Sequence, residues 1–199
     1  MNNLIHLSKH NILSAFHRLD ELAKEANKRI EISVYGGAAI ILSFDGIRTS
    51  TFDVDAIIHA GRDFARQAIK KIAEENEWDD NWLNDAVKGF ISESEHMENL
   101  SDWPEKETGL IINIATPEYL LAMKCMAMRQ EIDKHDIDDI KGLIKICNFT
   151  KSDEVLDLVE KFYPYNRMPP KVSLGVASIF DEINNAVIKP KSITRTMAP

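Results

Sequence analysis

Val34-Tyr35-Gly36-Gly37-Ala38-Ala39-Ile40-Ile41-Leu42-Ser43-Phe44, joined by the polar loop 45–50 to Thr51-Phe52-Asp53-Val54-Asp55-Ala56-Ile57-Ile58-His59, is the stretch on which the reading of this chain turns. A short apolar run, Ile32 to Tyr35, breaks at Gly36-Gly37, and an apolar, helix-compatible run follows to Phe44. In the second piece polar and apolar side chains alternate. That is the period of a strand, so Thr51, Asp53 and Asp55 are expected on one face and Phe52, Val54 and Ala56 on the other. Two carboxylates about 7 Å apart on one strand face repel each other unless a positive group lies between them. A divalent cation holding a nucleotide's phosphates meets that need, because hard Mg²⁺ takes one or two carboxylates together with phosphate oxygens. The Gly36-Gly37 turn ahead of a helix supplies the complementary half, backbone N–H groups that approach phosphate closely at a helix N-terminus.

Working outward from this stretch, Ser8 caps an amphipathic helix through Ile12, Leu13, Phe16, Leu19, Leu22, Ala23 and Ala26, and a strand covers Glu31 to Tyr35. The helix after the glycines runs from Gly37 to Phe44, and the alternating strand from Phe52 to His59. A second amphipathic helix spans Asp63 to Glu77, with Phe64, Ala68, Ile69 and Ile72 on its apolar face. Trp78 and Trp82 flank an acidic turn that caps a short helix ending at Phe90, and Met97–Leu100 suits a short edge strand. Leu110–Ala115 is a strand with a single polar residue, Asn113. Thr116-Pro117-Glu118 then opens a helix with a capping Thr, Pro at the first position and Glu in the first turn. That helix runs to about Glu131, with further helices over His135–Cys147, Ser152–Phe162 and Lys171–Val187. Residues 188–199 lack hydrophobic periodicity and read as a loose tail. Helices and strands in this order predict a mixed α/β (α+β) core with helices packed behind it.

The chain has 199 residues, enough for one domain with an appended piece, and its 44% hydrophobic and 28% charged residues suit a soluble globular protein. No apolar run approaches membrane-spanning length, and the N-terminus lacks a signal-peptide pattern, so a cytoplasmic protein without membrane contact is expected. Cys125 and Cys147 sit inside apolar helical patterns and read as buried free thiols. A net charge of −8 argues against strong nonspecific nucleic-acid binding while leaving room for a local basic site.

Gly-Gly, a short helix and Thr-x-Asp-x-Asp on a strand resemble the nucleotidyltransferase superfamily, the polymerase-β-like fold. Residues 117–143 extend the resemblance to its AbiEii-like, type IV toxin-like group: Leu120-x-x-x-Lys124, then Ala127, Arg129, and Asp136-x-x-Asp139 opening the next helix. The resemblance implies a minimal nucleotidyltransferase core over 1–115, a helical region over 116–187 completing the nucleotide site, and the tail. It implies Asp53 and Asp55 as catalytic metal ligands and Lys124 as a catalytic residue. Gly36, Gly37, Arg48, Thr51, Lys124, Arg129, Asp136 and Asp139 would line the nucleotide site. The implied cofactor is Mg²⁺, with an NTP as substrate or ligand. The implied acceptor is a tRNA or a protein, with a toxin–antitoxin or phage-defence role and a cognate partner in bacteria; the acidic charge shifts the acceptor towards a protein or small molecule.

Two departures from the superfamily pattern bear on activity. The usual Gly-Ser pair reads Gly36-Gly37, and the strand expected to carry a third carboxylate offers Asn113, whose amide can ligate a metal but cannot act as a general base. A catalytically degenerate module that binds nucleotide or a partner is therefore the alternative to an enzyme. Lys124 on an otherwise apolar helix stretch needs an anionic partner, which is a triphosphate, Asp136 or Asp139. Arg48 reads equally as a phosphate contact or a solvated loop residue.

Overall fold

Alternation in three segments builds the sheet. In the computed structural model, which describes residues 6–101, 103–104, 107–128 and 134–188 (186–188 by backbone alone), Ile30, Ile32 and Val34 are fully buried on one strand. Leu110, Ile112 and Ile114 alternate in the same way on another, and Val54 and Ala56 on a third. The elements in chain order are β1 (Leu7–Ser8), α1 (Lys9–Glu25), β2 (Ile30–Val34), α2 (Gly36–Ser43), β3 (Ser50–Thr51), β4 (Val54–Ala60) and α3 (Arg62–Asn76). They continue with β5 (Leu83–Asn84), a 3-10 turn (Ala86–Phe90), β6 (Met97–Asn99), β7 (Leu110–Ala115), α4 (Pro117–Ala127), α5 (Lys134–Ile146), α6 (Ser152–Phe162), a second 3-10 turn (Tyr165–Arg167) and α7 (Pro170–Ile188).

The main sheet is mixed, in the order β5-β4-β2-β7-β6. β2 pairs antiparallel with β4 and parallel with β7, so Val34, Ala56 and Ile114 share one level. β6 is an edge strand antiparallel to β7, as the sequence predicts. Helices α1 and α3 pack on each other and on the sheet, burying Ile12, Phe16 and Leu19 from one and Ala65, Ile69 and Ile72 from the other. On the other flank α4 is the hub, touching α2, α5, α6 and α7. The sequence predicts the α/β class and most element bounds to within two residues, because periodicity and capping carry both.

Three expectations change. The acidic turn after Trp78 leads into the two-residue β5 and a 3-10 turn, where a capped helix was expected. The strand expected from Phe52 begins at Val54, because Thr51 pairs backwards with Leu7 of β1 and the chain bends at 52–53. The helix expected from Pro117 to about Glu131 ends at Ala127, where Met128 leaves helical geometry (φ −48°, ψ 132°), and the tail from 189 onward lies outside the described residues. Among the described residues no helix is long and apolar enough to cross a membrane. Cys125 is buried and Cys147 half-buried, both are free, and burial pushes each thiol up to about 12.

Candidate nucleotide site

The site forms where β2 ends and α2 begins. Gly36 has φ +60°, a left-handed conformation that glycine adopts without strain, and a Cβ there would lie 2.6 Å from an oxygen of Asp55. The Asp55 carboxylate thus rests against a bare backbone. Gly37 has a different neighbour: a Cβ there would meet the Arg48 guanidinium and the Thr51 hydroxyl, each at 3.0 Å. The Ser of the usual Gly-Ser pair would press on that guanidinium. No side chain caps α2, whose N-cap is Tyr35, so no capping oxygen takes the first-turn N–H groups beside the two glycines.

Asp53 and Asp55 come close enough to interact even though only Asp55 belongs to β4. Burial, and after it the charge of Asp53, raise the Asp55 carboxyl to about 6 against the opposing charge of nearby Lys124. Among the described residues Asp55 accepts no side-chain hydrogen bond. Asp53 accepts one, at 2.7 Å, from the amide of Asn84, the β5 residue that pairs with Asp55. The same amide donates to the carbonyl of Asn81 and accepts the N–H of Ala86, so its orientation is set.

Facing the pair stands Lys124 on α4, 2.7 Å from Asp136 and 2.8 Å from Asp139. Asp139 is 1% exposed and also binds Arg48 at 2.8 Å, so one buried carboxylate holds two cations. Arg48 further donates to the Ser50 carbonyl. Close packing makes this junction: a Cβ on Gly142 of α5 would lie 2.7 Å from Ile47, which brings Asp139 against the 45–50 loop. Burial of the charges requires this pairing. Arg48, read equally as a phosphate contact or a solvated residue, is a clamp between loop and helix, and Thr51 is buried beneath it.

Gly36, Gly37, Asp55, Lys124 and Asp136 supply the polar lining of a cleft of about 210 Å³. Its apolar lining comes from Val87 and Phe90 of the first 3-10 turn and Leu120, Met123 and Ala127 of α4. Such a cleft suits a molecule that carries both an anionic group and a flat apolar group. Of the expected site residues, Arg129 lies outside the described residues. Asn113 is on β7, separated from β4 by β2, and its amide donates to Glu31. Sequence reasoning missed Asn84, Val87 and Phe90, which sit in a two-residue strand and a 3-10 turn too short to show a period. It read Met123 as core packing alone. Phe90 is an exposed aromatic, 43% accessible, beside the cleft, and that exposure is visible only in the fold.

The donor set fits a hard divalent cation: two neighbouring carboxylates, of which Asp55 lines the open cleft and, among the described residues, accepts no side-chain hydrogen bond. Among the described residues no cluster of three or more His, Cys, Asp or Glu could hold a metal by itself, so phosphate oxygens and water would have to complete the shell.

No curated protein and no solved structure matches the chain. A family profile does, across residues 10–169, which include every site element described above. The chain belongs to that family, DUF6036, described as nucleotidyltransferases of unknown function.

Proposed function

We propose that the protein is a Mg²⁺-dependent nucleotidyltransferase that moves a nucleoside monophosphate from an NTP to an acceptor hydroxyl. The observation that carries this reading is the Asp55 carboxylate, without a side-chain donor among the described residues and laid against Gly36 at the uncapped start of α2, with Lys124 nearby. Backbone N–H groups at Gly36 and Gly37 bind the triphosphate, and Lys124 neutralises it. Asp136 and Asp139 hold Lys124 in place, and Arg48 fixes Asp139. Asp53 and Asp55 are the metal ligands, and Mg²⁺ there supplies charge neutralisation at the α-phosphoryl group. The base lies against Phe90 and Met123. The acceptor oxygen attacks the α-phosphorus, the α–β anhydride bond breaks, pyrophosphate leaves with the bonding pair, and the hydroxyl proton passes to solvent at the open side of the cleft. The spacing from Leu120 to Asp139 supports an AbiEii-like member. It also supports a toxin–antitoxin or phage-defence role, with a tRNA, protein or small-molecule acceptor and a cognate partner.

A second reading is favoured by Asn84. The side chain bonded to Asp53 is an amide, which cannot take a proton as a third carboxylate would, so a module that binds nucleotide without turnover is the rival. Incubation with each NTP labelled at the α-phosphate and Mg²⁺, alone and with total tRNA or cell lysate, separates the two. Label transferred by the wild type and not by Asp53→Ala is the expected result. A Mg²⁺-dependent thermal shift with NTP but no transfer would make the second reading correct, and neither signal would sink both.

A further inference from the structure

Of the four tyrosines in the chain, Tyr165 is exposed, whereas Tyr35, Tyr119 and Tyr163 are buried. A buried phenol needs a partner for its hydroxyl, and any nearby carbonyl would serve. Here all three hydroxyls meet one short stretch, residues 90–95. Tyr163, just past the end of α6, donates to the Phe90 carbonyl. Tyr119 of α4 accepts the Ser92 N–H at 2.8 Å. Tyr35, between β2 and Gly36, donates to Glu95 at 2.7 Å. The rings also brace one another: Tyr35 and Tyr119 meet edge to face at 6.4 Å, and Tyr119 lies 4.9 Å from Phe162.

What these hydroxyls hold gives them their meaning. Residues 91–96, between the first 3-10 turn and β6, belong to neither helix nor strand, so the stretch has no ladder of its own to fix it. At its start is Phe90, the one aromatic residue lining the nucleotide cleft among the described residues, and its ring is open to that cleft. An aromatic ring binds a flat ligand best when its backbone is already fixed, because no ordering cost falls on binding. Tyr35 and Tyr119 belong to segments that build the cleft directly, next to Gly36 and on the helix of Lys124. Tyr163 does not. No residue of α6 or α7 lines the cleft, and the hydrogen bond from Tyr163 to the cleft's wall goes to Phe90 itself. Hydroxyls that served packing alone would be spread over whichever carbonyls lay nearest; these converge on the irregular segment behind the cleft's aromatic.

We propose that Phe90 is the platform for the nucleotide's base and that Tyr163 is its positioning residue, holding the Phe90 backbone so that the ring meets the base already in place. This rests on the nucleotidyltransferase reading for the identity of the ligand. Inorganic tripolyphosphate carries the phosphates of an NTP without the base, so it separates the two. The wild type, Tyr163→Phe, Phe90→Ala and the double variant are titrated with Mg²⁺ and the tightest-binding of ATP, GTP, CTP and UTP, and separately with Mg²⁺ and tripolyphosphate. Tyr163→Phe removes only a hydroxyl and keeps the packed ring. It should weaken NTP binding about threefold to tenfold and leave tripolyphosphate binding within about twofold of wild type, which also reports that the variant is folded. Phe90→Ala should weaken NTP binding about tenfold or more, and adding Tyr163→Phe to it should weaken binding no further. Equal losses for both ligands would make the hydroxyl a purely structural contact. An unchanged NTP affinity in Tyr163→Phe, or a loss that adds in full to that of Phe90→Ala, would equally overturn the proposal. A wild type that binds tripolyphosphate as tightly as any NTP would retain the anion site and remove the base platform. A wild type that binds neither would remove the nucleotide reading itself, and the proposal with it.

Discussion

Asp20, on a helix, and Asp55, on a strand, are carboxylates set against the same sheet at different places, and the fold treats them in opposite ways. Asp20, on α1, is 7% exposed and reaches the start of β7. It accepts the backbone N–H groups of Gly109 at 2.6 Å and Leu110 at 3.1 Å and the hydroxyl of Thr108 at 2.7 Å, and it pairs with Lys24 at 2.7 Å. Burial by itself would raise its carboxyl, but Lys24, Thr108 and the two backbone donors outweigh that and hold it below its ordinary value. Asp55 has burial and a neighbouring carboxylate and, among the described residues, no donor, so it is raised to about 6. A carboxylate whose lone pairs are filled by its own chain is a joint. One left unfilled beside bare glycines and an open cleft is a place for something the chain does not contain.

Substitutions at the two positions should separate these roles, and the largest effect belongs to the open pair. Asp53→Ala and Asp55→Ala should each weaken Mg²⁺-dependent NTP binding by about a hundredfold or more, near 3 kcal/mol, while melting no earlier than wild type. Titration by calorimetry together with thermal melts reads both quantities. Retained binding in either variant would break the contrast at its centre. Asp20→Ala should do the reverse, lowering stability by about 2–3 kcal/mol in urea through stranded backbone donors at Gly109 and Leu110. Nucleotide affinity in the surviving folded protein should hold.

The smallest effect sharpens the comparison most, because its sign is unusual. Asp55 has a folded value raised above its ordinary 3.8, so the folded state binds the proton more tightly, and this group's contribution to stability declines as pH rises from about 4 to 6. Asp20 is lowered, so its contribution is present above its ordinary 3.8 and is lost as pH falls through the folded value. Asp55→Asn should therefore stabilise the ligand-free protein at pH 7 by about 1 kcal/mol, after allowance for water screening on the cleft side. The gain should vanish near pH 4. A destabilised Asp55→Asn across that range would mean that Asp55 is a joint like Asp20.

Much of the site was legible because its chemistry is local. Gly36-Gly37 and the Asp53-x-Asp55 pair are contiguous signals, and Thr116-Pro117 announces the helix that carries Lys124. The spacing of Asp136 and Asp139 placed two acids near one helix start. What sequence left open was partnership. Lys124 was matched to a triphosphate, to Asp136 or to Asp139, and the fold gives it both acids. Arg48 was balanced between phosphate and solvent, and it is bound to Asp139. Asn84 and Phe90 stand in segments of two and five residues, too short for any period to reveal, and Asp20 is one acid among several on an amphipathic helix until residues 108–110 arrive beside it.

The sequence by itself determined the order of helices and strands, the glycine turn, the paired acids and the family, since periodicity, capping and short motifs are properties of neighbouring residues. Only the tertiary structure decided which carboxylates are satisfied and which stay open, that Arg48 clamps Asp139, and that Asp55 and Lys124 meet in one cleft. Those are facts about residues dozens of positions apart, and they exist only once burial has removed water as the alternative partner.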